Sequence, residues 1–315
     1  MDPRGTMNYV QALVEGVKTC DKPIIVFLPM GGLREVEEKV LYEANLPVVM
    51  DGAEAVAAVN ALIRYTEAER RFRSPVAAAA VPSVNVAQVR AELAAGPKTL
   101  TEHQAKVLLG RYGIPVTREE VATSATEAVR LANGIGYPVV MKVESADILH
   151  ATDAGALKLN LRSDQEVAAA FGEIMANARK HSPNASIKGV LVQEMVAGGR
   201  EVIVGMSRDP QFGPAVVFGL GGVLVEVLRD ISMRVVPVTR YDAEDMVKEI
   251  KGYRLLQQFR GMAEADSAVI IDTILKVSRL AEDLGDLISE IDINPLIVLE
   301  KGRGGKAVDA LVVLK

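Results

Sequence analysis

The chain has 315 residues, of which 49% are hydrophobic and 24% charged, so it is long enough for two or three domains with a well-buried core. A net charge of −5, the lack of a basic run and only 4% aromatic residues argue against a nucleic-acid surface. The single cysteine, Cys20, excludes an intrachain disulfide and a cysteine-cluster metal site. Because no apolar run could span a membrane and no secretory signal is visible, we expect a cytoplasmic protein with no membrane partner.

The first segment, residues 1–73, alternates helix and strand patterns. Two short apolar stretches, "KPIIVFLP" and "PVVMD", lie between amphipathic helices, which is typical of a parallel α/β unit. Two parallel strands alone leave both sheet edges unpaired, so we expect this segment to be the end of a larger doubly wound domain. Residues 74–98 mix Pro, Ala, Ser and Gly and predict a linker that contains one short helix.

The remaining segment, residues 99–315, has the pattern of an α+β domain. Three capping boxes, "TEHQ", "SATE" and "SDQE", each predict the start of a helix. Four strand-like stretches then follow at hairpin spacing from "GVLVQEMV" onward, and helices are predicted at 242–250, 253–260 and 266–284. Two last strands, "SEIDINPLIVLEK" and "KAVDALVVL", flank a glycine-rich turn.

The stretch "EIDINP" places Glu290, Asp292 and Asn294 on one face of a strand, because alternate side chains share a face. Oxygen ligands of this kind suit Mg²⁺, which usually takes one or two carboxylates together with substrate phosphates. A turn centred on Lys301–Gly302 would set Asp309 opposite Asn294, whereas a turn centred on Gly304 would move the two residues well out of register. The metal hypothesis requires the first register, and a solvated strand face is the alternative.

Lys142 ends the apolar stretch "GYPVVMK" and has two interpretations. It is either a surface lysine whose charged end reaches water, or a fixed cation that meets a nucleotide phosphate. Glu194 and Met195, at the end of another strand, could offer backbone groups to a purine, although this pattern is weak without context.

His150 is one of three histidines in the chain and lies in the polar stretch "ADILHATDAG". A histidine can accept a phosphoryl group reversibly, and a nearby aspartate such as Asp147 or Asp153 can fix its tautomer. A lone loop histidine is more often an ordinary surface residue, so spacing alone does not favour a catalytic role.

In order along the chain, these stretches resemble the ATP-grasp domain of NDP-forming acyl-CoA synthetases, which include ADP-forming acetate–CoA ligases and, more distantly, the succinyl-CoA synthetase β subunit. The resemblance covers about residues 99–315 and depends on four stretches: "LTEHQAKVLLGRYGIPV", "GYPVVMKVESADILHATDAGALKLNL", "GVLVQEMVAGGREVIVGMSRDPQFGPAVVFGLGGVLVEVLRD" and "EIDINPL…AVDALVVL". The fold it implies is a C-terminal ATP-grasp fold, preceded at 1–73 by the end of a flavodoxin-like ligase domain.

The resemblance also implies site residues and ligands. Lys142 is expected to contact the phosphates of ATP or ADP, and Asn294 and Asp309 to bind Mg²⁺ with support from Asp292 or Glu290. His150 matches the phosphorylatable histidine that carries phosphate between the acyl-CoA site and ADP.

The purine edge is implied in the same way. Glu194, Met195 and Val196, with Glu201 nearby, are expected to lie at the nucleotide. The implied reaction is acyl-CoA + ADP + phosphate ⇌ acid + CoA + ATP. It needs a CoA-binding ligase subunit or domain as partner, through which the acyl-CoA is reached, and an oligomer is expected.

Two other functions stay open from the sequence. Ala151 stands where the family has a lysine after the loop histidine, which motivates a non-catalytic or regulatory ATP-grasp module associated with an acetyltransferase or a partner ligase subunit. A different ATP-grasp ligase that uses an acyl phosphate without a histidine relay is the third hypothesis.

Overall fold

The computed structural model describes six stretches of the chain: residues 3–28, 33–73, 82–148, 151–221, 230–259 and 261–315. The chain divides into two compact units, residues 1–75 and 76–315. Among the described residues, none of the helices combines the length and the apolar character needed to cross a membrane.

The first unit contains three helices and a short parallel pair of strands. Its elements are α1 (Pro3–Val17), β1 (Val26–Phe27), α2 (Glu35–Glu43), β2 (Val48–Val49) and α3 (Gly52–Arg73). Val26 pairs with Val48 in parallel, as the alternation of helices and strands predicts. Val10, Val26, Leu41 and Leu46 form its small core. The flavodoxin-like interpretation of this unit stays a prediction.

The second unit begins with two helices and an antiparallel sheet of four strands. These elements are α4 (Val86–Ala94), α5 (Glu102–Arg111), β3 (Glu119–Ala122), α6 (Ala125–Ile135), β4 (Val139–Glu144), β5 (Leu157–Leu161), α7 (Asp164–His181) and β6 (Gly189–Glu194). The sheet order is β3-β6-β4-β5. Helices α6 and α7 contact each other and the sheet, and enclose the first of two cores in this unit.

A sheet of six strands completes the second unit. Its elements are β7 (Arg200–Asp209), β8 (Gly213–Leu220), β9 (Ile231–Val235), α8 (Arg240–Glu249), a 3₁₀ helix (Lys251–Leu255), α9 (Ser267–Leu284), β10 (Ile288–Val298), β11 (Gly305–Ala307) and β12 (Ala310–Leu314). The order is β11-β10-β7-β8-β9, and β12 also pairs with β10. Helix α9 packs on β7, β8 and β10 over the second core.

The three predicted capping boxes all mark helix starts. Thr101, Ser124 and Ser163 are the N-caps of α5, α6 and α7, and each side chain accepts the backbone N–H three residues on. Such a bond satisfies one of the donors that a helix N-terminus leaves unpaired.

The helix predicted at 253–260 and the predicted linker need correction against the structure. The helix expected at 253–260 is a short 3₁₀ helix, Lys251–Leu255, whose first N–H groups at Lys251 and Gly252 both donate to the Asp230 carboxylate at 2.7 Å. The helix expected inside the linker is α4, and its Val89 and Leu93 are buried in the core beside α9. These apolar side chains make α4 part of the second unit, while residues 74–81 lie outside the described stretches.

Backbone hydrogen bonds join the six-stranded sheet to the segments before and after α5. The Leu100 N–H donates to Val312 O at 3.0 Å, which places the start of α5 beside β12. The Ala307 N–H donates to Pro115 O at 2.8 Å, which joins β11 to the segment that leads into β3. The segments on either side of α5 therefore lie beside β11 and β12.

Candidate functional site

Lys142 lies in the middle of β4, a strand in which all six residues are buried. Its Nζ forms an ion pair with Glu102 Oε1, lies 3.5 Å from Asp309 Oδ2 and donates to Val308 O at 3.5 Å. Burial acts to lower the pKa of Lys142, but Glu102 and Asp309 outweigh it and the pKa is raised, so the ammonium group stays charged. With its side chain 6% exposed, Lys142 is not the surface lysine of the first interpretation.

The strand pair at the C-terminus has the register that the metal hypothesis requires. Leu296 pairs with Ala307 and Ile293 with Ala310, so the turn is centred between residues 301 and 302. The Asn294 N–H donates to Asp309 O at 3.2 Å, which sets these two residues opposite each other. Ile291 and Ile293 are buried in the core, as the alternation predicts.

The final predicted strand is interrupted, and the interruption shapes the site. β11 ends at Ala307 and β12 begins at Ala310. The Val308 carbonyl between them accepts from Gln193 Nε2 at 2.9 Å, besides its contact with Lys142. Asp309 follows with a side chain that is 51% exposed. The break therefore turns one carbonyl toward the four-stranded sheet and leaves Asp309 at the edge of the site.

The predicted phosphate-binding and metal-binding side chains line one cavity of about 180 Å³. Lys142, Asp292, Asn294 and Asp309 all lie on its wall, together with Glu102. A fixed ammonium group and three oxygen-bearing side chains thus face the same small space, which is suited to a ligand that carries both negative charge and a hard cation.

The oxygen donors fit Mg²⁺. Asp292, Asn294 and Asp309 supply two carboxylates and one amide. Within the described stretches, no cluster of three or more His, Cys, Asp or Glu side chains could hold a metal ion without such an amide. Burial raises the pKa of Asp292 to about 6, the nearby charges of Glu290 and Asp309 act the same way, and a hydrogen bond with Asn294 opposes them. A bound cation would relieve this repulsion, and two carboxylates are a typical protein contribution to a Mg²⁺ site shared with phosphates.

His150 lies outside the described residues, together with Leu149. The described residues on either side of this pair, Ile148 and Ala151, line the same cavity as Lys142.

The predicted purine edge lies away from this wall. The described lining of the cavity includes none of its members, which are Glu194, Met195, Val196 and Glu201. Glu194 accepts the Arg118 N–H at 2.8 Å, pairs with Arg118 Nε at 3.1 Å and contacts Lys306 Nζ.

The other edge residues occupy the strand ends beside Glu194. Met195 and Val196 are half-buried after β6, and the Met195 N–H donates to Pro138 O at 3.3 Å. Glu201 is exposed on β7, opposite Ile297 of β10, and Ile297 is opposite Lys306. Lys306 therefore shares a row of cross-strand neighbours with Ile297 and Glu201, and it also contacts Glu194.

The ATP-grasp domain family matches residues 91–314 of this chain. The chain belongs to the ATP-grasp family. The acetate–CoA ligase (ADP-forming) II subunit beta of Pyrococcus furiosus is 48% identical over 223 residues, which cover 71% of this chain and 94% of that protein. The 4-hydroxybutyrate–CoA ligase (ADP-forming) of Nitrosopumilus maritimus is 36% identical over 99% of this chain, but this chain spans only 45% of that ligase.

A solved structure agrees with the family and the fold. The Ca. Korarchaeum cryptofilum dinucleotide-forming acetyl-coenzyme A synthetase 1, in complex with coenzyme A, Ca-AMPCP and HgCl⁺, is 45% identical with a TM-score of 0.69. The match covers 74% of this chain and 100% of that one. The predicted ATP-grasp fold and the predicted relationship to ADP-forming acyl-CoA ligases are confirmed.

The second unit also contains buried charged residues that the sequence interpretation missed. Lys106 Nζ lies 2.6 Å from Glu102 Oε1 and 2.7 Å from Glu119 Oε2, and donates to Thr117 Oγ1 at 3.1 Å. Gln193 Nε2 also donates to Thr117 Oγ1, at 3.0 Å. The i, i+4 spacing of Glu102 and Lys106 on one helix was visible in the sequence, but it resembles any solvent-exposed helix pair.

Glu144 is a further buried carboxyl on the cavity wall. Its Oε1 accepts the His103 N–H at 3.2 Å, near the N-terminus of α5, and burial raises its pKa despite that bond. Lys306, Lys106 and Glu144 carried no local motif, because each acquires its significance from a partner on another element.

Proposed function

We propose that this chain is the nucleotide-binding, phosphoryl-transfer portion of an ADP-forming acyl-CoA ligase, which catalyses acyl-CoA + ADP + phosphate ⇌ acid + CoA + ATP. The observation that carries the proposal is that Lys142, Asp292, Asn294 and Asp309 line one cavity together with Ile148 and Ala151, the described residues on either side of 149–150. The relatives named above support the reaction class.

In this proposal Lys142 binds phosphate oxygens, since its ammonium group is fixed by buried partners and faces the cavity. Asn294 and Asp309 would hold Mg²⁺, with Asp292 in support, and the ion would neutralise charge on the phosphates. ATP or ADP is the nucleotide, and its base would lie at the edge formed by Glu194, Met195 and Val196, near Glu201.

The transfer step assigned to His150 is a reversible exchange of one bond for another. An unprotonated imidazole nitrogen attacks the γ-phosphorus of ATP, a P–N bond forms, and the P–O bond to ADP breaks. The electron pair of that P–O bond stays on ADP. The reverse direction makes ATP from the phosphohistidine and ADP.

The acyl and CoA chemistry is assigned to a CoA-binding ligase subunit or domain. The P. furiosus relative is named a beta subunit, which supports a partner of this kind. Inorganic phosphate would displace CoA from acyl-CoA to give an acyl phosphate, and a complex of the two parts would let His150 take the phosphoryl group while the carboxylic acid leaves.

Incubation of the full chain with γ-³²P-labelled ATP and Mg²⁺ tests the proposal. We expect label that is stable to base and labile to acid, as phosphohistidine is, and its loss in His150→Ala. His181→Ala is the matched control, because His181 is the exposed last residue of α7, and it should be labelled like the wild type. Label that persists in His150→Ala would contradict the relay, and ATP binding without any label would favour the regulatory module.

A further inference from the structure

The Glu102 carboxylate lies between two buried ammonium groups. Its Oε1 is 2.6 Å from Lys106 Nζ, one helical turn along α5, and it also contacts Lys142 Nζ on β4. The side chains are 1% exposed for Lys106, 6% for Lys142 and 14% for Glu102. One carboxylate oxygen therefore connects the helix to the cation of the proposed phosphate site.

Lys106 is held from its other side by the four-stranded sheet. It pairs with Glu119 Oε2 at 2.7 Å and donates to Thr117 Oγ1 at 3.1 Å. Glu102 and Lys142 line the cavity, and the described lining does not include Lys106. The shortest connection from Lys106 to that cavity is therefore its ion pair with Glu102.

The two carboxylates that face Lys142 differ in how firmly they are placed. The Glu102 contact is buried and backed by Lys106, whereas Asp309 is 3.5 Å away and 51% exposed. Asp309 is also a proposed metal ligand, so its contact with Lys142 competes with the cation. Glu102 is the partner that can stay on Lys142 when a ligand occupies the cavity.

We propose that Glu102 is a positioning residue, anchored by Lys106, that holds the ammonium group of Lys142 toward the phosphates of the nucleotide. The proposal depends on the nucleotide site described above. Buried charges need such partners, because an ammonium group left without one in a protein interior is costly and takes another position or loses its proton.

Calorimetric titration of the full chain with Mg-ATP and with AMP tests the role. Glu102→Gln should weaken ATP binding about tenfold, the lower end of the scale for groups that orient metal-binding side chains, and leave AMP binding unchanged. AMP lacks the β- and γ-phosphates, so a general structural loss would affect both nucleotides. Asp272→Asn is the matched control, because Asp272 pairs with buried Lys276 at i, i+4 outside this cavity, and it should bind ATP like the wild type.

A double-mutant cycle locates the effect on Lys142. In a Lys142→Met background, Glu102→Gln should change the ATP dissociation constant by less than about twofold, because residues that act through one contact are not additive. The inference is overturned if Glu102→Gln binds ATP like the wild type, or if its effect is as large without Lys142. If Glu102→Gln does not fold by circular dichroism, Glu102→Asp keeps the charge but shortens the reach, and wild-type ATP affinity there overturns the inference. A wild-type chain that binds ATP no better than AMP would instead overturn the proposed function, and this inference with it.

Discussion

Lys142 and Lys276 are two buried lysines of the same unit that differ in what surrounds them. Their side chains are 6% and 10% exposed. Lys276 Nζ lies 2.6 Å from Asp272 Oδ2 on its own helix and donates to Gly113 O at 2.6 Å, and the second contact ties α9 to the turn that follows α5. Lys142 has one buried ion pair and two contacts at 3.5 Å, and it faces a cavity.

The difference shows how a structural cation and a binding cation can be distinguished. The Lys276 ammonium group contacts a carboxylate and a backbone carbonyl at 2.6 Å, so a phosphate would have to displace one of these short contacts. The longer contacts of Lys142 to Asp309 and Val308 can be exchanged for a phosphate without loss of its buried partner. Both lysines are buried to a similar extent, so burial does not distinguish a structural lysine from a binding one. The partners of each ammonium group and their distances do.

The largest expected effect is the loss of ATP affinity when Lys142 itself is replaced. Lys142→Met should weaken Mg-ATP binding by about 10- to 100-fold, since a hydrogen bond to a charged group contributes about 1.5–3 kcal/mol. Lys276→Met should leave ATP binding unchanged and lower the free energy of unfolding by about 1–3 kcal/mol, because Gly113 O loses its donor. Calorimetry and urea denaturation of both variants measure the two effects. Equal losses of ATP affinity would show that the distinction is wrong.

Replacing the carboxylate partner of each lysine should change the Mg²⁺ requirement at Lys142 but not at Lys276. Asp309→Asn removes a proposed Mg²⁺ ligand, so the Mg²⁺ concentration needed for half-maximal labelling by ATP should rise about tenfold or more. Asp272→Asn removes a carboxylate from Lys276 and should leave that concentration unchanged. A titration of Mg²⁺ at fixed ATP measures it, and an unchanged requirement in Asp309→Asn would exclude Asp309 as a ligand.

Local signals in the sequence predicted much of the fold. The capping residues Thr101, Ser124 and Ser163 each begin a helix, since the bond they make spans only three residues. The alternation in "EIDINP" placed Ile291 and Ile293 in the core. Patterns of this kind depend on neighbours along the chain, and so a single sequence contains them.

The register of the last strands could not be chosen from the sequence. Asp266 Oδ2 accepts the N–H groups of Gly302 at 3.0 Å and Gly304 at 2.8 Å, which holds the turn that sets Asp309 opposite Asn294. This carboxylate lies more than 30 residues before the turn, and no pattern within the turn indicates it. The ion pair of Glu102 with Lys142 was missed for the same reason, because it joins a helix start to a strand about 40 residues on.

The smallest expected effect is on stability and concerns His103, which is partly exposed. Its Nδ1 lies 3.3 Å from Glu119 Oε1, and this hydrogen bond raises the pKa of His103 above 6.5 against the effect of burial, with Glu144 and Glu120 adding to it. Burial would raise the pKa of Glu119, but bonds from His103, Lys106 and Thr117 outweigh it and lower that pKa, so the carboxylate is ionised near neutral pH.

The sign of the pH dependence follows from the raised pKa of His103. The folded state holds the imidazolium proton more tightly than the unfolded state, so the stabilisation is fully present below about pH 6.5 and is lost as the pH rises through the raised value. His103→Gln should therefore cost more stability at pH 5.5 than at pH 8.5, by less than about 1 kcal/mol, since partly exposed ion pairs contribute little. Urea denaturation at both pH values measures the difference, and an NMR titration of the His103 ring should give a pKa above 6.5. A cost that is equal at the two pH values would show that the positive charge of His103 does not stabilise the folded state.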